Sequence, residues 1–518
     1  MTGLRITTAR NGEPTAILGT RHLHSRVSPR EEAARFVIRQ IDRSCRLVLV
    51  IGPGLGHSFA ALRELLPEAR LFGLSLSSEL AQAQHWRPDR GWDPGSDEPL
   101  RVFLTRELSD LDSSSVLVLE WPPVVAAFPK VAESVRAEVS AHLRRGHASL
   151  VTRGASGRRW LRNQIFNFRH GAPAAFRRSG SGISAAVLIG SGPSAERIIP
   201  GLGVLRDRLE FWVTGSALDA VVRLGLRPDV VVVTDAAVYA GEHLRPAISG
   251  LLRDAPVAAP LSATRAVAGC ERLVVLSEGD VVEEELFTRA GLSAPLIPPH
   301  GTVSATAAAL IRTTGDLPIV CVGVDFAWRS GRSHARPHLS EIYRRTTAHR
   351  CSPEETQVYG LARGQEPLCG EWTSSPSLLA YSEWFHSVGR LRFAPIHSLS
   401  TSPAAASLPA IGLDHLASLE PRYQRISCAP SPLLPEAERT RIARQTLCSL
   451  IRTSRTARPP DRPRDLETAC PSFASLAVKL ALPQLLRWYR DDHDQRDRWA
   501  GIQAIVEQEL TDLLRETG

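Results

Sequence analysis

Short apolar runs that lead into amphipathic stretches recur along the first 330 residues, the alternation that βαβ units produce. The clearest early case is RLVLVIGPGLGHSFAALRELL (46–66): a buried-strand run, a Gly-rich turn at Gly52, Pro53, Gly54 and Gly56, then a helix. ARLFGLSL (69–76) and SSVLVLEWPP (114–123) predict two further strands. SPREEAARFVIRQI (28–41) predicts a helix with Ser28 as N-cap and Pro29 at its first position.

A second unit of the same kind begins at ISAAVLIG (183–190), turns at GSGPSAE (190–196), and continues through EFWVTGS (210–216), a helix at LDAVVRLGL (218–226) and DVVVVTDAA (229–237). APVAAPLS (255–262), ERLVVLSE (271–278) and PIVCVGVDFA (318–327) predict more strands, with TVSATAAALIRTTG (302–315) as the helix before the last. After about residue 395 the apolar strand runs stop. Helices are expected there at 434–454, 471–490 and 494–516, joined by connections rich in Pro, Ser and Ala.

The expected fold is therefore α/β, with tandem Rossmann-like doubly wound domains and a helical C-terminal region. Residues 1–150 form the first domain and 151–182 a connector that includes the basic, Gly- and Ser-containing FRRSGSGISA (176–185). A central nucleotide-binding domain spans 183–395, and 396–518 is helical with Pro-rich linkers.

Composition narrows the class. A chain of 518 residues exceeds what one core sustains, so several domains are expected. Its 43% hydrophobic and 22% charged residues are those of an ordinary globular protein. The eight cysteines form no CxxC pair, which argues against a zinc site or disulfide framework and for reduced thiols in the cytoplasm. Neither a signal-peptide apolar core nor an apolar run of membrane-spanning length is expected. A net charge of +8 would suit a polyanion, yet the arginines are scattered, so no nucleic-acid partner is expected.

Gly190, Ser191, Gly192, Pro193 and Ser194 follow a buried-type strand and precede a helix, where backbone N–H groups and the positive helix end suit phosphate. The same turn would need glycine for purely structural reasons, and it is neither GxGxxG nor a Walker A loop. Asp235 ends a strand at the ligand-binding edge of such sheets, or else caps the next helix. With Ala237 two residues on, there is no DxD metal grip. Asp325 also ends a strand, and the loop after it holds Arg329, Arg332, His334, Arg336 and His338, a possible base with anion clamps or a solvated loop. His300, Gly301, Thr302 and Ser304 open a helix suited to a carboxylate or phosphate, with Thr302 or Ser304 as the alternative N-cap. Trp160, Asn163 and Asn167 could line a surface patch, with core packing the alternative for Trp160.

Taken in order, VLIGSGPSAE (187–196), VTGSALDAVVRLGLRPDVVVVTD (213–235), GTVSATAAALIRTTG (301–315) and VCVGVDFAWRSGRSHARP (320–337) resemble the domain shared by bacterial motility accessory factors and archaeal MptE-like 6-hydroxymethylpterin diphosphokinases. TAILGTRHLHSRVSPREEAARF (15–36) and RWLRNQIFNF (159–168) resemble the bacterial, flagellum-associated branch. The resemblance implies a glycosyltransferase that moves a nonulosonic, sialic-acid-like sugar from its CMP-activated form to flagellin Ser or Thr. It implies that Gly190, Ser191, Gly192, Pro193 and Ser194 hold the nucleotide phosphate, with Ser216 and Asp235 near the nucleoside. Gly301, Thr302 and Ser304 would face the sugar carboxylate or phosphate, and Asp325 with His334 as base would sit at the reacting centre. No metal or other cofactor is required beyond the CMP-sugar donor. The alternatives are a magnesium- and ATP-dependent pyrophosphokinase of the pterin type and a non-catalytic flagellin-binding assembly factor. Two features depart from the family: Thr302 stands where a second glycine is common, and HSLSTSPAAASLPAIG (397–412) lacks an acidic, Gly-rich pattern.

Overall fold

The computed structural model describes residues 3–41, 45–388, 395–460, 465–490 and 495–517. The chain divides into two compact units, 1–157 with 451–510 and 158–450 with 511–518.

The first unit opens with an antiparallel sheet of β1 (Leu4–Thr8), β2 (Pro14–Leu18) and β3 (Arg21–His22). A parallel sheet follows, built from β4 (Leu47–Ile51), β5 (Arg70–Leu74), β6 (Arg90–Trp92) and β7 (Leu117–Glu120) in the order β6-β5-β4-β7. All five residues of β4 are buried because helices cover both sheet faces. Strand alternation sends Leu47, Leu49 and Ile51 into one apolar layer with Phe103 and Val124, and Val48 and Val50 into the other with Phe59 and Leu62. Pro29 opens the helix Pro29–Ile38 as expected, with Ser28 at the N-cap position but making no capping bond. The helix Pro471–Arg490 joins this unit, where the Tyr489 hydroxyl donates to Asp112 at 2.7 Å.

The second unit begins with β8 (Ala174–Ile183), and its central sheet takes β9 (Ala185–Ile189), β10 (Leu209–Thr214), β11 (Val230–Val232), β12 (Val257–Pro260), β13 (Leu273–Leu276) and β14 (Ile319–Val322). A small antiparallel sheet of β15 (Trp328–Arg329), β16 (Glu366–Pro367) and β17 (Trp372–Ser374) follows, then β18 (Ile396–Ser398) and β19 (Tyr423–Pro430). The central order is β13-β12-β11-β10-β9-β14-β18, parallel throughout. Again the alternation splits: Ala185, Val187 and Ile189 enter one core, Ala186 and Leu188 the other. The chain steps outward from β9 to β13 and then returns to β14 on the opposite flank. The strand order therefore reverses between β9 and β14, and the crevice at their carboxyl ends is where such sheets bind ligands.

The α/β class with two Rossmann-like sheets and C-terminal helices is as the sequence indicates. The boundaries are not. The connector 151–182 is no linker, since the helix Pro129–His170 runs through its first part. FRRSGSG belongs to β8, which pairs antiparallel with β19. That two-stranded ribbon is largely solvent-facing, so it needs no apolar run and its Gly and Ser read as a linker. The central unit also extends past 395: Ile396 pairs beside Ile319, making β18 the seventh strand. The C-terminal region is thus only partly helical.

Candidate functional site

The turn after β9 is tied to the end of β14 by three backbone donors. The N–H groups of Gly190, Gly192 and Ser194 donate to Val322 O (2.8 Å), Gly323 O (2.7 Å) and Asp325 Oδ2 (2.8 Å). A Cβ on Gly192 would lie 2.6 Å from both Asp325 Oδ2 and the Gly323 carbonyl oxygen, so the approach of the two loops requires glycine. These three N–H groups are therefore occupied within the protein. Two hydroxyls lie at the surface of the turn: Ser216 Oγ donates to Ser191 Oγ at 3.1 Å, and both serines are half-exposed. With Ser191 Oγ accepting, its own O–H is free to donate outward. Pro193 and Ser194 are buried at the base of the turn.

Asp325 sits beneath the turn, 2% exposed. Its carboxylate accepts from Ser194 N–H, from the Ser194 hydroxyl (2.6 Å) and from the Ser400 hydroxyl, while the Ser402 hydroxyl donates to its main-chain oxygen (2.6 Å). Burial pushes its pKa up from the usual carboxylate value, against the pull of those hydrogen bonds. Asp325 is thereby a clamp between the Gly-rich turn and the segment after β18, with its lone pairs already engaged. Sequence reasoning did not single out Ser400 and Ser402. They lie inside the stretch that departs from the family pattern, and nothing in local spacing links them to Asp325.

The segment after β15 folds back over the turn. Ala335 N–H donates to Ser191 O (2.8 Å), and Arg332 pairs with Glu196 (3.1 Å). This brings His334 and His338 together, their rings stacked at 3.7 Å and 3° from coplanar, with His243 5.1 Å from His338. His338 is the N-cap of the helix Leu339–Thr347: its Nδ1 accepts from Ser340 N–H (3.2 Å). That bond places the proton on Nε2, so His338 is wired as a donor there and not as a base. His334 Nδ1 lies 2.7 Å from the Ser333 hydroxyl. Burial pulls its pKa down to about 4, aided by His243 and Arg344, so the ring is neutral near pH 7. The structure thus distinguishes two histidines that the sequence left equivalent. No hydrogen bond joins His334 to Asp325 among the described residues.

Asp235 stands exposed at the end of β11; its Oδ1 accepts from Ala237 N–H (2.8 Å), and its main-chain oxygen accepts from Thr264 N–H (2.9 Å). Nearby, exposed Tyr239 and Tyr343 meet edge to face at 5.5 Å, an aromatic rim that sequence reasoning missed. The helix Val303–Thr314 starts at the same sheet edge, because it runs antiparallel to the strand it feeds. Thr302 caps it, its hydroxyl accepting from Ala305 N–H (3.0 Å), with Gly301 in a left-handed turn and Ser304 half-exposed in the first turn. Asn163 and Asn167 do not form a surface patch. Both are buried, and their amides donate to the main-chain oxygens of Ala236 and Ser262, and of Leu261 and Ala263, fixing the loops after β11 and β12.

Among the described residues no helix is long and apolar enough to cross a membrane, and no group of three or more His, Cys, Asp or Glu side chains could hold a metal ion. No family model matches the chain. An uncharacterized protein of Treponema pallidum (strain Nichols) is 24% identical over 311 residues, 60% of this chain. The chain spans 65% of the length of that relative. Among solved structures, the MAf glycosyltransferase of Magnetospirillum magneticum AMB-1 superposes with a TM-score of 0.59 at 13% identity, over the whole of this chain and 91% of that one. The fold is accordingly like that of the Magnetospirillum enzyme.

Proposed function

We propose that the chain is a glycosyltransferase that takes a nonulosonic sugar from its CMP-activated form and passes it to protein hydroxyls, flagellin Ser or Thr being the acceptor the sequence resemblance implies. The observation that carries this reading is the open, serine-lined turn at the β9/β14 crevice, with a neutral histidine held over it. It draws support from the fold shared with a glycosyltransferase and from the ordered motifs that resemble the motility accessory factors and the MptE-like domain.

In this reading Ser191 and Ser216 meet the nucleotide phosphate, with Gly190, Gly192, Pro193 and Ser194 forming the rigid turn beneath them. Asp235 lies on the nucleoside side, and Gly301, Thr302 and Ser304 open the sugar side. The acceptor oxygen attacks the anomeric carbon, the bond from that carbon to the phosphate oxygen breaks, and CMP leaves with the electron pair. The acceptor proton passes to His334. Asp325 positions the turn and touches no substrate. CMP departs with one phosphate, which hydroxyls and the positive end of the helix Ala195–Leu202 can meet, so the step requires no metal. A pterin-type pyrophosphokinase would hold magnesium on several acids, and Asp325 already accepts three hydrogen bonds where that chemistry would use it.

Isothermal titration with CMP, CDP, ATP and GTP, with and without magnesium, tests the reading. The expected result is metal-independent CMP binding that weakens in Asp235→Ala. Magnesium-dependent ATP binding with no response to CMP would replace it with the pyrophosphokinase, and silence with every nucleotide would favour a binding protein.

A further inference from the structure

The histidine cluster has a feature that proton transfer does not use. His338 is 5% exposed, and its Nε2, which carries the proton, is buried with no hydrogen-bond partner. A buried N–H without an acceptor is rare in a folded protein and points to a group that is absent here. Beside it stands Arg344, whose Nε is likewise buried and unpartnered. Its guanidinium makes no ion pair or hydrogen bond among the described residues, whereas Arg336 and Arg345 are both held by Glu341. Arg344 is close enough to disfavour protonation of both His334 and His338, and no acid is felt at either ring. Asp219, Asp235 and Glu242 act on His243 instead.

We propose that His338 Nε2–H and the Arg344 guanidinium form an oxyanion subsite next to the Ser191 turn, and that its ligand is the carboxylate of the transferred sugar acid. The inference rests on the donor assigned above. An N–H donor and a guanidinium, the latter a planar fork, match the chemistry of a two-oxygen carboxylate. The Ser191 and Ser216 hydroxyls stand apart, ready for the phosphate. The Ala335 N–H, bonded to Ser191 O, ties the segment that carries His338 to the Ser191 turn.

The test is titration of the full chain, wild type, Arg344→Gln and His338→Asn, with CMP and with CMP-N-acetylneuraminic acid. Arg344 packs against no acid in a helix that buries no residue, so R344Q is expected to fold. Asn at 338 keeps the helix cap and removes the Nε2 donor. The expected result is a 10- to 100-fold loss of affinity for the CMP-sugar in both variants, with CMP unchanged. Equal losses for CMP and the CMP-sugar would move the subsite to the phosphate and overturn the carboxylate assignment. Unchanged affinities would overturn the subsite altogether. If the wild type binds neither cytidine compound, the donor assignment fails by itself. The subsite is then read from the thermal upshift with inorganic phosphate or N-acetylneuraminate: its loss in R344Q supports the subsite, and an equal or absent upshift overturns it.

Discussion

Two Gly-rich turns, each between a buried strand and a helix, differ in what fills them. The first, Gly52 to His57, is buried throughout. Leu55 N–H donates to His24 Nε2 (2.9 Å), the His24 ring stacks on Trp121, and a Cβ on Gly56 would overlap the Trp86 carbonyl oxygen. The second, Gly190 to Ser194, has its backbone donors engaged below but leaves Ser191 half-exposed, with hydroxyls facing the crevice. The same local pattern thus makes a plug in one unit and a candidate pocket in the other. A glycine turn marks where backbone comes close; only the neighbours tell whether the thing approached is protein or ligand.

Substitutions separate the two cases, the largest effects first. Gly56→Ala adds an overlap with backbone at a left-handed φ of 88° and is expected to cost the first unit about 4 kcal/mol, read as a lowered urea midpoint. Gly192→Ala meets Asp325 and the Gly323 carbonyl at 2.6 Å; it should lose about 3 kcal/mol and CMP binding together. Asp325→Asn keeps the shape but sets an amide donor either against the Ser194 N–H or against the Ser194 and Ser400 hydroxyls, for a loss of about 2 kcal/mol in denaturant unfolding.

The filled turn also predicts an acid response. Burial holds the His24 pKa down to about 3, against about 6.5 for an unfolded histidine. The unfolded chain therefore binds the proton first, and this stabilising contribution is complete above pH 6.5. It falls by about 1.4 kcal/mol per pH unit between 6.5 and 3. His24→Gln can still accept from Leu55 N–H without titrating. Its urea midpoint should fall less steeply with acid than that of the wild type, and equal slopes would contradict the assignment. The smallest effect is expected at the open turn, where Ser191→Ala with Ser216→Ala should change stability by no more than about 1 kcal/mol. The same pair should weaken CMP binding roughly tenfold, a loss of about 1.4 kcal/mol in a titration.

Much of this was legible in the sequence wherever a signal is local. Each buried strand around the site shows as an apolar run, and the turn at 190–194 and the acid at 325 fall where βαβ patterning puts them. What stayed hidden is long-range. Ser400 reaches Asp325 across 75 residues of chain. His24 reaches Leu55 from the segment after β3, 31 residues away, and Arg344 matters through the partner it lacks. The strand at 396–398 is three residues long and β8 faces solvent, so neither yields the apolar run by which strands are recognised. His334 and His338 look alike in sequence because their difference is a single cap hydrogen bond.

Hydrogen–deuterium exchange with and without saturating CMP tests the central contrast directly. Protection confined to 190–194, 214–217 and 333–338, with 52–57 unchanged, is the expected result. Protection at 52–57, or CMP binding that leaves the second turn untouched, would contradict the assignment of the nucleotide to the open turn.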